Sequence, residues 1–235
     1  MVRRLAYSVS EREHWISAAG GLVGILAVLW VGHFWLDGHG GVLAIASMGA
    51  SAVLLFAAPH AALSQPWPLL GGHLVSALIG VSCARWLGYE PMLAASLAVA
   101  LSIAAMYGLR CLHPPGGATA LYAVLGGEAV HGLGYGYLLS PVLLNVVVLV
   151  TVAVLFNYPF AWRRYPQSWH QRTQAVARSA EKVMIPHDSL VYALSQLDTF
   201  VDISEDDLQR IYALALEGPP QPAAEAARQP AGALR

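Results

Sequence analysis

Charge is what this sequence has least of. Lysine, arginine, aspartate and glutamate make up 11% of its 235 residues, against roughly 25% in a soluble domain. A chain this long and this uncharged cannot clothe an ordinary water-facing surface. The scarcity is also uneven. Between Trp15 and Asn157 there are five charged residues, Asp37, Arg85, Glu90, Arg110 and Glu128, and the other twenty-two lie in the first fourteen residues or after Tyr158. Cysteine is nearly absent as well. Cys83 and Cys111 stand in apolar segments without disulfide, metal or redox spacing, and read as small buried apolar side chains. A net charge of −1 says nothing in favour of nucleic acid, and no nucleic-acid partner is expected. Six histidines lie between Trp15 and Asn157, yet none has the i, i+4 or carboxylate-linked spacing of a metal site, so neither metal nor cofactor is expected. No nucleophile stands with a base, so the chain does not read as an enzyme.

Hydrophobic residues fill the space that charge leaves, at 57% of the chain with a mean hydropathy of +0.53. Spanning a bilayer takes about 20 apolar residues in a helix. Trp15–Leu36 supplies 22 without a charge, after a capping-box pattern at Ser10-Glu11-Arg12-Glu13. This run is too long for a signal peptide and is followed by more of its kind. Further runs are Val42–Ala58, Leu69 to about Leu87, Pro91–Leu109, Ala118 to about Gly136, and Leu138–Asn157. The expected fold is an all-α polytopic membrane protein with about six transmembrane or half-membrane helices, two Pro/Gly-marked breaks and a short cytoplasmic helical hairpin. Small residues recur every four positions at Gly72, Ser76, Gly80, Ala84 and Gly88, again at Ala94, Ala98 and Ser102, and at Gly20 and Gly24. Such stripes let helices approach closely, within the chain or in a homo-oligomer.

The domain plan follows. Residues 1–14 form a cytoplasmic N-terminal segment, 15–158 the membrane domain, 159–217 a cytoplasmic helical tail and 218–235 a Pro-rich disordered end. Arg3, Arg4 and Arg12 precede the first run and Arg163, Arg164 and Arg172 follow the last. The positive-inside bias therefore places both ends in the cytoplasm, at the inner membrane. An even number of crossings is required, either six or four with the short runs re-entrant. In the tail, Arg163, Arg164, Arg172, Arg178 and Lys182 suit an anionic leaflet. Leu190, Leu194 and Leu197, then Leu208, Ile211, Tyr212 and Ala215, have the spacing of two short amphipathic helices.

The two breaks carry the chemistry. Unpaired backbone groups in hydrocarbon cost several kcal/mol each, so irregular backbone persists only where protein or a water-filled cavity surrounds it. The more polar break is Cys111-Leu112-His113-Pro114-Pro115-Gly116-Gly117-Ala118-Thr119. Its prolines favour an extended entry into a helix start. Gly116 and Gly117 leave the amides of a helix beginning near Ala118 unshielded, with the Thr119 hydroxyl close by, which is an anion site in principle. His113 could add charge or exchange a proton with a weakly basic anion. His60 and Gln65 occupy the other break, and Gly71, Gly72 and His73 follow it. An offset of 55 aligns Pro59 with Pro114 and Leu70-Gly71-Gly72 with Leu125-Gly126-Gly127, the trace of a parallel repeat. That offset sets His73 against Glu128, so the two could pair across the repeat axis. Arg110 is either an anion attractor or a topology anchor. Asn145, alone in an apolar run, is either an interhelical hydrogen bond or a pore contact.

His113-Pro114-Pro115-Gly116-Gly117-Ala118-Thr119, taken with Pro59-His60-Ala61-Ala62-Leu63-Ser64-Gln65-Pro66-Trp67 and Gly71-Gly72-His73, resembles the HPP family of integral membrane proteins, named for that tripeptide. The resemblance covers essentially the whole membrane domain. It implies a nitrite transporter like those of cyanobacterial and chloroplast membranes, with the lipid bilayer and a small inorganic anion as its partners. Some relatives carry cytosolic CBS domains, and none fits in this tail. The reading of another class is a membrane-anchored structural or regulatory module whose tail engages a partner. It requires a break packed too tightly to admit water.

Overall fold

The computed structural model describes residues 11–35 and 45–168, with Leu208 and Tyr212 beyond them. The chain divides into two units, Met1–Ser179 and Ala180–Arg235, and the fold below belongs to the first. The Ser10 cap and the amphipathic tail with its Pro-rich end fall outside the described residues, apart from Leu208 and Tyr212, which are both helical.

Among the described residues the fold is all helical. The helices are α1 (Glu11–Trp35), α2 (Ile45–Ala57), α3 (Pro66–Leu87), α4 (Pro91–Gly108), α5 (Pro114–Leu125), α6 (Glu128–His131) and α7 (Leu144–Asn157). Four segments are long and apolar enough to cross a membrane: Glu11–Phe34, Pro66–Leu87, Pro91–Gly108 and Leu138–Asn157. By contrast α2 has 13 residues and α5 has 12. At 1.5 Å per residue they are roughly 20 and 18 Å long, short of the ~30 Å hydrocarbon core. The expectation of spanning and half-membrane helices together therefore holds. The last span contains a break that sequence reading passed over. Leu138–Leu143 is a wider π-type turn with Ser140 out of helical conformation (φ −139°, ψ 114°) beside Pro141, which lacks the amide that a regular helix needs.

Hydrogen bonds sort the helix ends into two sides. Arg163, just past α7, pairs with Glu13 at the start of α1 and donates to the Phe56 carbonyl at the end of α2. Trp67 at the start of α3 donates to the Leu109 carbonyl past α4, and His113 at the start of α5 bonds to Leu63 between α2 and α3. All of these lie on one side. On the other, Arg85 at the end of α3 sits over the Tyr135 ring, between α6 and α7. Helices α1, α3 and α5 therefore run one way and α2, α4 and α7 the other.

Small residues decide which helices touch. A Cβ on Gly80 would meet the Ala120 carbonyl at 2.6 Å, and one on Gly116 would meet the Gly72 carbonyl at 2.8 Å. The stripe on α3 is thus the seat of α5, within one chain. Gly20 and Gly24 make room for a ring instead, since a Cβ on either would fall within 2.6 Å of Phe56. Half of the α3 span is buried, against 22% for α1 and 28% for α4, so α3 is the central helix. Outward faces carry Leu22, Leu26, Leu93, Leu101 and Ile103, with Trp15, Trp67, Tyr107 and Trp162 exposed towards one side and Trp86, Tyr89 and Tyr135 towards the other. Such aromatic girdles mark the two interfaces of a bilayer.

The packing also replaces the expected parallel repeat. Leu70-Gly71-Gly72 lies in the first turns of α3, whereas Leu125-Gly126-Gly127 ends α5, with Gly127 at φ +73°. The sequence offset therefore matches non-equivalent places. A different internal symmetry is present. α1 packs on α2 and α7 as α4 packs on α5 and α3, α2 meets α7 as α5 meets α3, and α2 meets α5 while α3 meets α7. Exchanging α1 with α4, α2 with α5 and α3 with α7 leaves that set unchanged. Each exchanged pair runs in opposite directions, so the halves are inverted with respect to each other.

Candidate functional site

The polar centre lies where α2, α3 and α5 meet. Ser51 comes from α2, His73 from α3, His113 caps α5 and Thr119 lies one turn inside it; all four are fully buried. Ser51 Oγ is 2.9 Å from His73 Nε2 and 2.9 Å from His113 Nε2. His73 Nδ1 is 2.7 Å from Thr119 Oγ1, and His113 Nδ1 is 2.8 Å from the Leu63 carbonyl. The two imidazoles face each other edge to plane, with ring centres 5.0 Å apart.

Glycine makes this approach possible. A Cβ on Gly72 would strike His113 Cβ at 2.6 Å, and one on Gly71 would strike Cys111 Cβ at 2.8 Å. The segment Cys111–His113 therefore lies directly on the α3 backbone. At the start of α5, Pro114 and Pro115 occupy the first two helical positions. A helix start leaves four amides without intrahelical partners, and here two of the four do not exist. Gly116 N–H, the last of the four counted from the His113 cap, donates to the His113 carbonyl at 2.8 Å. The helix thus begins at Pro114, four residues earlier than expected, and the Gly116 amide is engaged within the chain. Gly117 and Ala118 lie past these four, where amides bond along the helix.

With both rings neutral, the hydrogens can be assigned by counting. The Leu63 carbonyl only accepts, so His113 carries its proton on Nδ1 and its Nε2 accepts from Ser51. Ser51 has one proton, now used, so His73 Nε2–H donates to Ser51 and His73 Nδ1 accepts from Thr119. The chain runs Thr119 to His73 to Ser51 to His113 to Leu63. Ser47 O at 3.0 Å and Pro115 O at 3.5 Å are alternative acceptors for the two hydroxyls.

A family model described as HPP, transmembrane region, matches residues 6–166. This chain belongs to the HPP transmembrane family. Two relatives in Dictyostelium discoideum, each named only as a transmembrane protein, are 35% identical over 159 residues (59% of this chain, 51% of theirs) and 36% identical over 160 residues (66% and 54%). The chain spans about half the length of these curated relatives. No solved structure matches it.

Within this HPP domain the sequence candidates separate. The structure brings His113, Thr119, Gly72 and His73 together, with Pro115 and Gly116 buried beside them. Pro114 and Ala118 are exposed, Gly117 is half-buried, and Arg110, also exposed, ends the α4 turn at φ +53°. His60 and Gln65 stand elsewhere. His60 Nε2 is 3.2 Å from the Arg164 carbonyl, and Gln65 binds the carbonyls of Pro59 and Ala61 and the amide of Gln167, so both tie the first break to the segment after α7. The expected pairing of His73 with Glu128 does not form. His73 bonds to Ser51 and Thr119, while Glu128 is exposed at the start of α6. Asn145 is fully buried, and neither polar atom of its side chain has a partner among the described residues.

Ser51 is the residue that sequence reading missed. Nothing in the run Ile45–Ala57 distinguishes it from Ser47, and the signal would have been two histidines on other helices that needed a common neighbour. Beyond the network, Ala77, Val81, Ala123, Val130, Tyr137 and Val142 pack as an apolar layer. The Tyr137 hydroxyl lies 3.5 Å from the Thr119 carbonyl. Past that layer a cavity of about 170 Å³ is lined by Val81, Ala84, Arg85, Ala123, Val130, His131 and Gly134.

Arg163 forms a second polar cluster. Expected to face anionic lipid, it is instead 1% exposed. It pairs with Glu13 and donates to Asn157, to Ser17 and to the Phe56 carbonyl. Burial lowers its pKa and the Glu13 carboxylate raises it.

Proposed function

We propose that this chain is a transporter of a small inorganic anion, with nitrite the first candidate, in the inner membrane with both termini cytoplasmic. The observation that carries the reading is the buried run of Thr119, His73, Ser51 and His113 at the meeting of α2, α3 and α5. Polar and titratable side chains in a membrane interior are costly and mark pathways by default. His113, Thr119, His73 and Ser51 are the groups assigned to the anion, and the Arg85-lined cavity is its approach from the side opposite the termini. Gly71, Gly72 and Gly116 serve by letting the chain close around them.

A second reading is favoured by one specific observation. Every polar atom of the four side chains is hydrogen-bonded and none is exposed, as in a polar latch of a membrane-anchored scaffold.

Nitrite uptake into proteoliposomes separates the two. Flux above empty vesicles that falls to the empty-vesicle level in His113→Ala is the transporter outcome. Equal flux with and without protein ends the nitrite claim. Cysteines placed at Gly117 or Ala61 and challenged with a water-soluble thiol reagent add a second test, because the transporter exposes them under turnover and the scaffold never does.

A further inference from the structure

The hydrogen-bond chain at the polar centre is complete in either direction. With neutral rings the donors run from Thr119 towards Leu63. Add one proton to His113 Nε2 and each bond between His113 and Thr119 reverses. His113 donates to Ser51 at 2.9 Å, Ser51 donates to His73 Nε2 at 2.9 Å, His73 Nδ1–H donates to Thr119 at 2.7 Å, and the Thr119 hydroxyl turns to the Pro115 carbonyl at 3.5 Å. His113 Nδ1–H stays on Leu63 in both patterns. Neither pattern leaves a donor without an acceptor. Histidine is the side chain suited to this, since both ring nitrogens donate when it is charged and one accepts when it is not.

From this reversibility we propose that His73 and His113, joined through Ser51, hold one proton per transport cycle, so that the anion crosses together with a proton and without net charge. The proposal rests on the transport reading above and specifies its coupling. A weak acid of the nitrous acid class, reaching the Thr119 end, loses the proton of its O–H bond to Thr119 Oγ1. The former Thr119 proton forms an N–H bond at His73 Nδ1, the His73 Nε2 proton passes to Ser51 Oγ, and the former Ser51 proton forms an N–H bond at His113 Nε2. Nothing is oxidised or reduced. The anion is left beside a network carrying one positive charge.

Two features limit the store to one proton. Ring centres 5.0 Å apart put two imidazolium charges in direct repulsion, which a low-dielectric interior screens weakly. The route also ends at the Leu63 carbonyl, which accepts a hydrogen bond but passes no proton on. The groups facing the rings are neutral. They are Ser51 from α2, Thr119 from α5 and the Leu63 carbonyl between α2 and α3, with Ser76 and Met106 beside them from α3 and α4. Among the described residues no carboxylate or arginine is hydrogen-bonded to either ring. A lone buried charge is expensive and a neutralised one is much less so, which is why proton and anion should enter as a pair.

The test uses full-length protein in proteoliposomes with an entrapped pH dye. Initial nitrite uptake is corrected for empty vesicles, because nitrous acid crosses lipid unaided. One proton entering per nitrite, acceleration by an acid exterior and indifference to a valinomycin-imposed potential are the expected results. The acceleration is lost in Ser51→Ala and retained in Ser51→Thr, which keeps the hydroxyl. Protein-dependent flux that ignores the pH gradient, or one equally driven by it in Ser51→Ala, overturns the proton store and leaves transport standing. No protein-dependent flux at all overturns the transport reading and the coupling with it. Solid-state ¹⁵N spectra of the unmodified protein, which need no variant to fold, should show one of the two rings protonated on Nδ1 and the other on Nε2. Two Nε2–H rings would refute the chain itself.

Discussion

Two buried polar clusters hold this membrane domain together, and they are built on opposite principles. Around Arg163, a guanidinium permanently charged at any working pH fastens α1, α2 and the end of α7 through Glu13, Ser17, Phe56 and Asn157. Around Ser51, two imidazoles and two hydroxyls join α2, α3 and α5, and each of these groups can either give or take a proton. The first cluster has one hydrogen-bond pattern and the second has two. A cluster with one pattern fixes geometry, and a cluster with two can do chemistry while keeping its geometry.

The sharpest way to break that contrast is at Arg163. Arg163→Met takes the guanidinium away from Glu13, Ser17, Asn157 and the Phe56 carbonyl, and losing one member of a buried pair typically costs about 3–5 kcal/mol. Thermal unfolding in detergent should show this as the largest drop of any substitution considered, partly recovered when Glu13→Gln is added. His113→Ala should cost less stability, about 1–3 kcal/mol in all, because the Ser51 hydroxyl it releases has the Ser47 carbonyl at 3.0 Å to turn to, yet abolish nitrite flux. A variant that unfolds as readily as Arg163→Met would erase the distinction. Gly116→Ala drives a Cβ to 2.8 Å from the Gly72 carbonyl and should cost about 1–3 kcal/mol through overpacking, with the loss of flux following from separation of α3 and α5.

Smaller effects sharpen the comparison. Asn145→Leu removes two buried polar atoms that have no partner among the described residues, so equilibrium unfolding should show a gain of about 1 kcal/mol while uptake falls, the signature of a residue kept for use. Tyr165 gives the smallest expected change. Its buried hydroxyl donates to the Ser64 carbonyl at 2.8 Å, and burial raises its pKa. Above the unfolded value of about 10, the unfolded chain releases a proton that the folded chain retains, so stability falls as pH rises. Tyr165→Phe should flatten the alkaline side of a stability–pH curve and leave the neutral region lower by the lost hydrogen bond, about 1 kcal/mol.

Much of this fold was legible because its signals are local. Runs of apolar residues bounded by Pro66, Pro91 and Gly108 marked α3 and α4 to within a few residues, and the Gly72-Ser76-Gly80 stripe announced a close neighbour. His113 and Thr119 stood out as polar residues at a break. What was not legible depended on contacts between distant segments. Ser51 looks like any helical serine until His73 and His113 are folded onto it. Glu128 matched His73 in a register of 55 that the packing does not use. Arg163 read as a lipid-facing cation because nothing in its own neighbourhood names Glu13, 150 positions away. The break at Ser140 was hidden by the apolar residues around Pro141, whose hydropathy is high whether or not they are helical.

The two prolines that open α5 have a consequence for how this domain comes apart. A helix ordinarily unzips from both ends, because its terminal turns hold few bonds and gain the most freedom on release. Pro114 and Pro115 have φ fixed by their rings whether folded or not, so freeing them returns little backbone entropy. There is also no amide at either position for water to claim. Fraying of α5 should therefore start at Gly126 and travel towards His113, which makes the polar centre the last part of that helix to let go.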